Sequence, residues 1–263
     1  MTPNPLVPGN ATGLTASPAH ATDGPAVCGL SPQFDMAAVQ GLIEASEQAF
    51  AGDGQGAQRY VFVAKSDQQV IGVAALDARL GLDLPRYSFR TGVVVHASRE
   101  LAMFQQAATL VLGNDTTGAT ELILPVMAAG APMASVHLLL DTLLQWVVQA
   151  PQRFGTSLVC TLPGQCDGLE QPIFWQALGR HFYAGALPVD NPLFRSPLRS
   201  HMGRLMPKHP IYSSLLTAEG QSSLGHCAAS ALPLQQWLMA VGFRYRQQID
   251  IVDGGPILER DLV

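Results

Sequence analysis

The sequence predicts an α+β protein built on a mixed, largely antiparallel sheet flanked by helices. Three observations predict it. Residues 60–65 (YVFVAK) and 70–78 are β-branched, apolar runs joined by four polar residues, the pattern of an antiparallel hairpin. Residues 121–127 and 157–162 are short apolar runs, and between them 136–149 has helical length and spacing. Residues 121–127 are expected to be central in that sheet. Residues 34–50 carry Phe34, Ala37, Ala38, Leu42, Ala45 and Phe50 near helical spacing, with Asp35 suited to the cap.

Taken in order, residues 1–28 are rich in Pro, Gly, Ala, Thr and Ser without periodicity and read as a mobile tail. After the first helix and the hairpin, Pro85 marks a loop. Residues 87–95 and 109–112 read as strands, with Thr91 to Val95 buried. Ser135 is suited to cap the helix over 136–149, which Pro151 ends. Residues 174–181 read as a short helix, 188–200 as a proline-punctuated loop, and 233–241 as a helix stopped by Gly242. A final strand covers 243–252, followed by the turn 253–256. The expected organisation is a tail (1–28), a core (29–200) and a C-terminal α+β part packed on it (201–263). There is no internal repeat.

Charged residues are only 13% of the 263 and apolar residues 48%, about half the usual charged share. So few charges point to a sizeable subunit interface. A net charge of −5, with two lysines and thirteen arginines, leaves no basic face for nucleic acid. No apolar run reaches the ~18 residues of a membrane span; the run over 136–148 is interrupted by Asp141 and Gln145. Cys28, Cys160, Cys166 and Cys227 form no CxxC and suit free thiols in a reducing cytoplasm. No metal is expected, and the N-terminus has no signal-peptide pattern.

The densest chemistry lies between Thr91 and Leu122. HASREL (96–101) sets a base, a hydroxyl, a cation and a carboxylate together, and TLVLGNDTTGATEL (109–122) ends an apolar run in polar turn-formers. These motifs, with YVFV (60–63), FWQALG (174–179), MPKHPIY (206–212), GFRYR (242–246) and IDIVDGGP (249–256), resemble the arginine N-succinyltransferase family over roughly residues 57–260. The resemblance implies an acyl-CoA N-acyltransferase-like fold, in which a thioester enters between two splayed strands. The next helix then offers its N-terminal amides to the CoA pyrophosphate. Residues 13–19 resemble a family segment that follows an opening strand and helix, so that opening strand is expected to be missing or degraded.

The implied reaction moves succinyl from succinyl-CoA to the α-amine of arginine or a related amino acid. It needs a deprotonated amine, oxyanion donors and a proton for the thiolate. It needs no enzyme nucleophile, so the absence of a GxSxG pattern is no objection. The resemblance assigns Leu124, Pro125, Val126 and Gly130 to succinyl-CoA, and His96, Ser98, Glu100, Asn114, Asp115 and His209 to the amino acid. For His96, Ser98 and Glu100 the alternative is capping and hydrogen-bonding strand ends, for Asn114 and Asp115 an Asx turn; His209 suits binding or a subunit interface, with simple loop packing as the alternative. The chain departs from the family pattern in two places. The phosphate loop, residues 128–135, keeps one glycine and no basic residue, which reads as a weakened phosphate grip or a rerouted loop. The family's proton-donor histidine falls at Ala228, with His226 two residues earlier as its substitute. A catalytically inactive relative, acting as a partner subunit or amino-acid-binding regulator, is therefore the rival expectation. An oligomer is expected, of this chain or with a related subunit.

Overall fold

In a computed structural model the described residues are 13–187, 191, 193–194 and 196–262. Ten strands are present among them: β1 Leu14–Pro18, β2 Arg59–Ser66, β3 Gln69–Asp77, β4 Ser88–Ser98, β5 Met103–Gly113, β6 Thr120–Met127, β7 Ser157–Thr161, β8 Ile211–Tyr212, β9 Arg244–Asp250 and β10 Pro256–Asp261. They form one sheet in the order β1-β2-β3-β6-β7-β10-β9-β4-β5-β8. Of the strand pairs, β6–β7 runs parallel and the others antiparallel. The mixed, helix-flanked sheet expected from the sequence is present, with residues 121–127 inside it.

The helices are α1 Gly24–Cys28, α2 Met36–Ala51, α3 Met133–Gln149, α4 Ile173–Ala177, α5 Leu198–Leu205, α6 Ala218–Ser223 and α7 Leu232–Ala240. Alternation along β2 sorts them into layers. Val61 and Val63 pack with Val39 and Ile43 of α2 on one face. Tyr60 and Phe62 pack with Leu139, Leu143 and Trp146 of α3, and with Leu238 of α7, on the other. Asp35 caps α2, its Oδ1 accepting from Ala38 N–H at 2.9 Å. No described helix is long and apolar enough to cross a membrane.

Four expectations need correction. Residues 13–28 are ordered: β1 pairs with β2 from Leu14↔Ser66 to Pro18↔Phe62, and Ala16, Ala19 and Val27 are buried. Short apolar residues suffice there because an edge strand needs only one packed face. Whether an opening strand precedes Gly13 concerns residues 1–12, outside the described ones. Ser135 does not cap α3; the helix begins earlier, at Met133, behind Pro132 as an extended N-cap, and the Ser135 hydroxyl donates to the Pro132 carbonyl. Thr91 to Val95 is strand but not buried: Val93 is 63% and Val95 52% exposed. Only Ser88, Phe89 and Arg90 of β4 pair with β9, so the β4–β5 hairpin runs on past the sheet as an arm. Finally, β9 is not the last strand, since β10 follows and sits between β7 and β9. Of the 188–200 loop, residues 188–190, 192 and 195 lie outside the described residues.

Candidate active site

The parallel pair β6–β7 is hydrogen-bonded at its start and open beyond. Its register pairs are Thr120↔Leu158 and Glu121↔Val159. On the opposite side, β3 and β6 pair at Ala75↔Ile123 and again at Val73↔Val126. One residue of β3, Ala74, therefore faces two of β6, Leu124 and Pro125. That is a bulge, and a bulge bends its strand and re-aims its backbone. Pro125 brings no N–H to this bend, whereas Leu124 and Val126 each bring one.

After β6 the chain turns through Ala128 to Ala131, with Gly130 at φ +78° and open space where a side chain would stand. It then enters α3, whose first amides, those of Met133 and Ala134, have no carbonyl one turn earlier in the helix to receive them. No basic residue lies in 128–135, so the helix start must act on an anion through amides and dipole alone. His137, one turn in, stacks on Trp237 of α7 at 5.4 Å between ring centroids.

The end of β7 brings in a third segment. The Ala228 amide donates to the Pro163 carbonyl at 2.8 Å, and Gly164 and Cys227 form a bridge. Residues 225–228 thus run beside the chain leaving β7, on the end where β6 and β7 part. His226 is exposed there, between Gly225 at φ +71° and buried Cys227. The sheet order, the bulged strand and the opening of the parallel pair are the acyl-CoA N-acyltransferase-like fold expected from the sequence.

The family model described as "Arginine N-succinyltransferase beta subunit" matches residues 21–263. The chain belongs to the arginine N-succinyltransferase family. Arginine N-succinyltransferases of Salmonella typhimurium and Salmonella newport are each 34% identical to it over 224 residues, 84% of this chain and 65% of theirs. The chain thus matches just under two thirds of the length of these relatives. The solved structure of arginine/ornithine succinyltransferase subunit AI from Pseudomonas aeruginosa superposes with a TM-score of 0.80 at 28% identity, covering 95% of this chain and 77% of that one.

Within this chain the expected amino-acid residues do not converge. His96, Ser98 and Glu100 sit at the far end of the arm. His96 Nε2 lies 3.2 Å from the Tyr212 hydroxyl. Ser98 Oγ accepts from Leu101 N–H and donates to Glu100, closing the hairpin turn. The Glu100 carboxyl is held below its usual range by its own backbone amide and by that hydroxyl. Asn114 and Asp115 follow the other end of β5, nine residues beyond His96's partner Gln105, roughly 30 Å along an extended strand. Asp115 is already engaged by a guanidinium, accepting from Arg90 Nε at 3.0 Å and Nη2 at 2.8 Å. His209 is exposed between α5 and β8.

A second polar cluster, missing from the sequence reading, lies where β6 begins. Glu121 is fully buried, its Oε1 accepting from Thr161 Oγ1 at 3.2 Å with Arg86 Nη2 at 3.5 Å. Burial raises its pKa, with Asp77 adding to the effect and Arg86 opposing it. Buried Asp250 accepts from Arg199 and from the Val252 amide at 2.8 Å. Burial works to raise Asp250, but Arg199, Arg86 and the Val252 and Asp253 amides outweigh it and hold it low. Arg59 grips Asp77 with two parallel bonds and donates to the Leu193 carbonyl. The local signal for this cluster was an acid opening the otherwise apolar run ELILPVM.

Proposed function

We propose that the chain acts in succinyl transfer from succinyl-CoA to the α-amine of arginine or a related amino acid. The carrying observation is the gap between β6 and β7 beside the Leu124–Pro125 bulge, with the His226 segment running along its open end. A thioester lying in the gap meets the Leu124 and Val126 amides, and its pyrophosphate meets Gly130 and the first amides of α3. The neutral amine attacks the thioester carbon, forming C–N and an oxyanion that those amides stabilise. Collapse breaks C–S; His226 protonates the thiolate, and the nitrogen gives up its own proton to solvent. The relatives named arginine N-succinyltransferase and arginine/ornithine succinyltransferase support this substrate pair.

The exposed arm supports an oligomer. Val93, Val95, Leu101 and Phe104 are each at least half exposed, an apolar patch of the kind that marks subunit contacts. Replacing Val95 and Phe104 by lysine should lower the sedimenting mass; an unchanged mass overturns this contact. Four free cysteines suit a reducing, cytoplasmic compartment.

Thiol release from succinyl-CoA with arginine, measured on the chain alone and co-expressed with a related subunit, tests the reaction. Release in neither case, with arginine still bound, favours the inactive relative. Pro125, Pro132 and the absence of a base in 128–135 are the features that reading would explain.

A further inference from the structure

The cluster at the start of β6 borders a cavity of about 330 Å³, lined among others by Arg59, Asp77, Leu84, Arg86, Glu121 and Arg199. That volume suits a small metabolite. Its guanidinium groups are not equivalent. Arg59 is held by Asp77 and the Leu193 carbonyl, and Arg199 by Asp250. Arg86 is held only loosely. Its contacts all run through Nη2, at 3.3 Å to Thr161 Oγ1, 3.5 Å to Glu121 and 3.9 Å to Asp250. Its side chain is 14% exposed, and among the described residues its Nε and Nη1 have no hydrogen-bond partner.

We propose that this cavity binds the carboxylate of a small organic acid, with Arg86 as its anchor. These two donors, Nε and Nη1, face the cavity without a protein partner among the described residues, and a carboxylate can take both of them in parallel. Burial pushes the Glu121 carboxyl up, which weakens its claim on Arg86, while Asp250, 3.9 Å from Arg86, is held low. Leu82 and Leu84, exposed at the rim, offer a wall to an aliphatic chain. Arg86 Nη2 reaches Thr161 Oγ1, two residues beyond Val159, the partner of Glu121, so the anchor lies roughly 7 Å along β6 from Pro125. Two sources fit the chemistry: the α-carboxylate of an amino-acid acceptor and the free carboxylate of a dicarboxylic acyl group. Choosing between them rests on the proposed reaction; the site itself does not.

Calorimetry on the unmodified chain with succinate, L-arginine and agmatine tests it. Agmatine keeps the amine and guanidinium of arginine but lacks the carboxylate. Succinate or L-arginine is expected to bind and agmatine not to. Succinate binding alone identifies the acyl source, and arginine binding alone the acceptor. Arg86→Lys keeps the charge but loses the planar fork, and should weaken binding about tenfold or more at an unchanged Tm. If that variant unfolds, Leu84→Trp at the rim should block binding without touching the buried charges. Silence from both acids at about ten millimolar, agmatine binding as well as arginine, or unchanged affinity in a folded Arg86→Lys or Leu84→Trp overturns the site. Turnover is not needed for these measurements. A chain that binds these acids yet releases no thiol keeps the site and loses the reaction; turnover with KM unmoved by Arg86→Lys does the reverse.

Discussion

The Ala228 amide donates to the Pro163 carbonyl at 2.8 Å, so the loop carrying His226 is tied to the end of β7. Gly225 N–H adds a second tie, to Gly254 O at 2.9 Å. A histidine on a loop fixed at both ends can hold one position relative to the gap. His226→Ala should lower kcat for succinyl transfer about a hundredfold with little change in KM. A kcat within about twofold of the parent would move proton delivery to another group.

The start of α3 offers amides without a cation. Ala128→Arg together with Pro132→Gly adds a charge and one more donor. Each charge-assisted bond is worth about 1.5–3 kcal/mol, so succinyl-CoA should bind at least about tenfold tighter by calorimetry. An unaltered dissociation constant would mean that the pyrophosphate does not lie here.

Arg153 ends α2 from a distance. It donates to the Ala49 and Gly52 carbonyls at 2.9 and 2.8 Å and to the Tyr60 hydroxyl at 3.2 Å. Its guanidinium also lies 5.9 Å from the Tyr60 ring centroid and 6.0 Å from that of Trp146. Arg153→Ala leaves helix-end carbonyls without their donors and should cost about 2–4 kcal/mol, lowering Tm by about 5–15 °C. A loss below about 1 kcal/mol would mean that water replaces the guanidinium readily.

The Asp253 carboxyl, half-buried, is pushed up to about 6 by burial and by the neighbouring charge of Asp250. The folded chain therefore holds a proton there that the unfolded chain has released by pH 6. Stability should fall as pH rises from about 4 to 6, by up to ~3 kcal/mol from this group alone. Asp253→Asn keeps an acceptor for the Gly255 amide, 2.8 Å away, and removes the titration. In denaturant melts its stability should exceed the parent's at pH 7, with the gap closing towards pH 4. Parallel pH curves for the two proteins would refute the assignment.

Because β1 covers β2 and Lys65 Nζ reaches Asp23 at 2.8 Å, a chain starting at residue 29 should melt more than about 10 °C lower. A drop under about 3 °C would show that this edge contributes little.

Much of the architecture was legible because it is locally encoded. The β2–β3 hairpin, β6 and α3 each carry a period and a length that admit one reading. Strand β10 does not: Pro256–Asp261 holds three charges in six residues and is a strand because β7 and β9 flank it. The β4 run of valines looks the same in a core as in an arm, since periodicity gives the strand but not its neighbours. Leu124 to Val126, beside the gap, were singled out only through the family motif. The Arg86–Glu121–Asp250 cluster joins positions far apart in sequence, so no spacing could mark it.

The place of β10 also orders events in the making of the chain. It is the strand that joins β1-β2-β3-β6-β7 to β9-β4-β5-β8. Strands β4 and β5 are synthesised before β6 yet lie on the far side of that junction. On the ribosome they must wait as a paired hairpin, unattached to β6 and β7, until residue 261 has emerged. Such delayed, non-local closure is slow, and the waiting arm is the part of the nascent chain most exposed to chaperones and to mispairing.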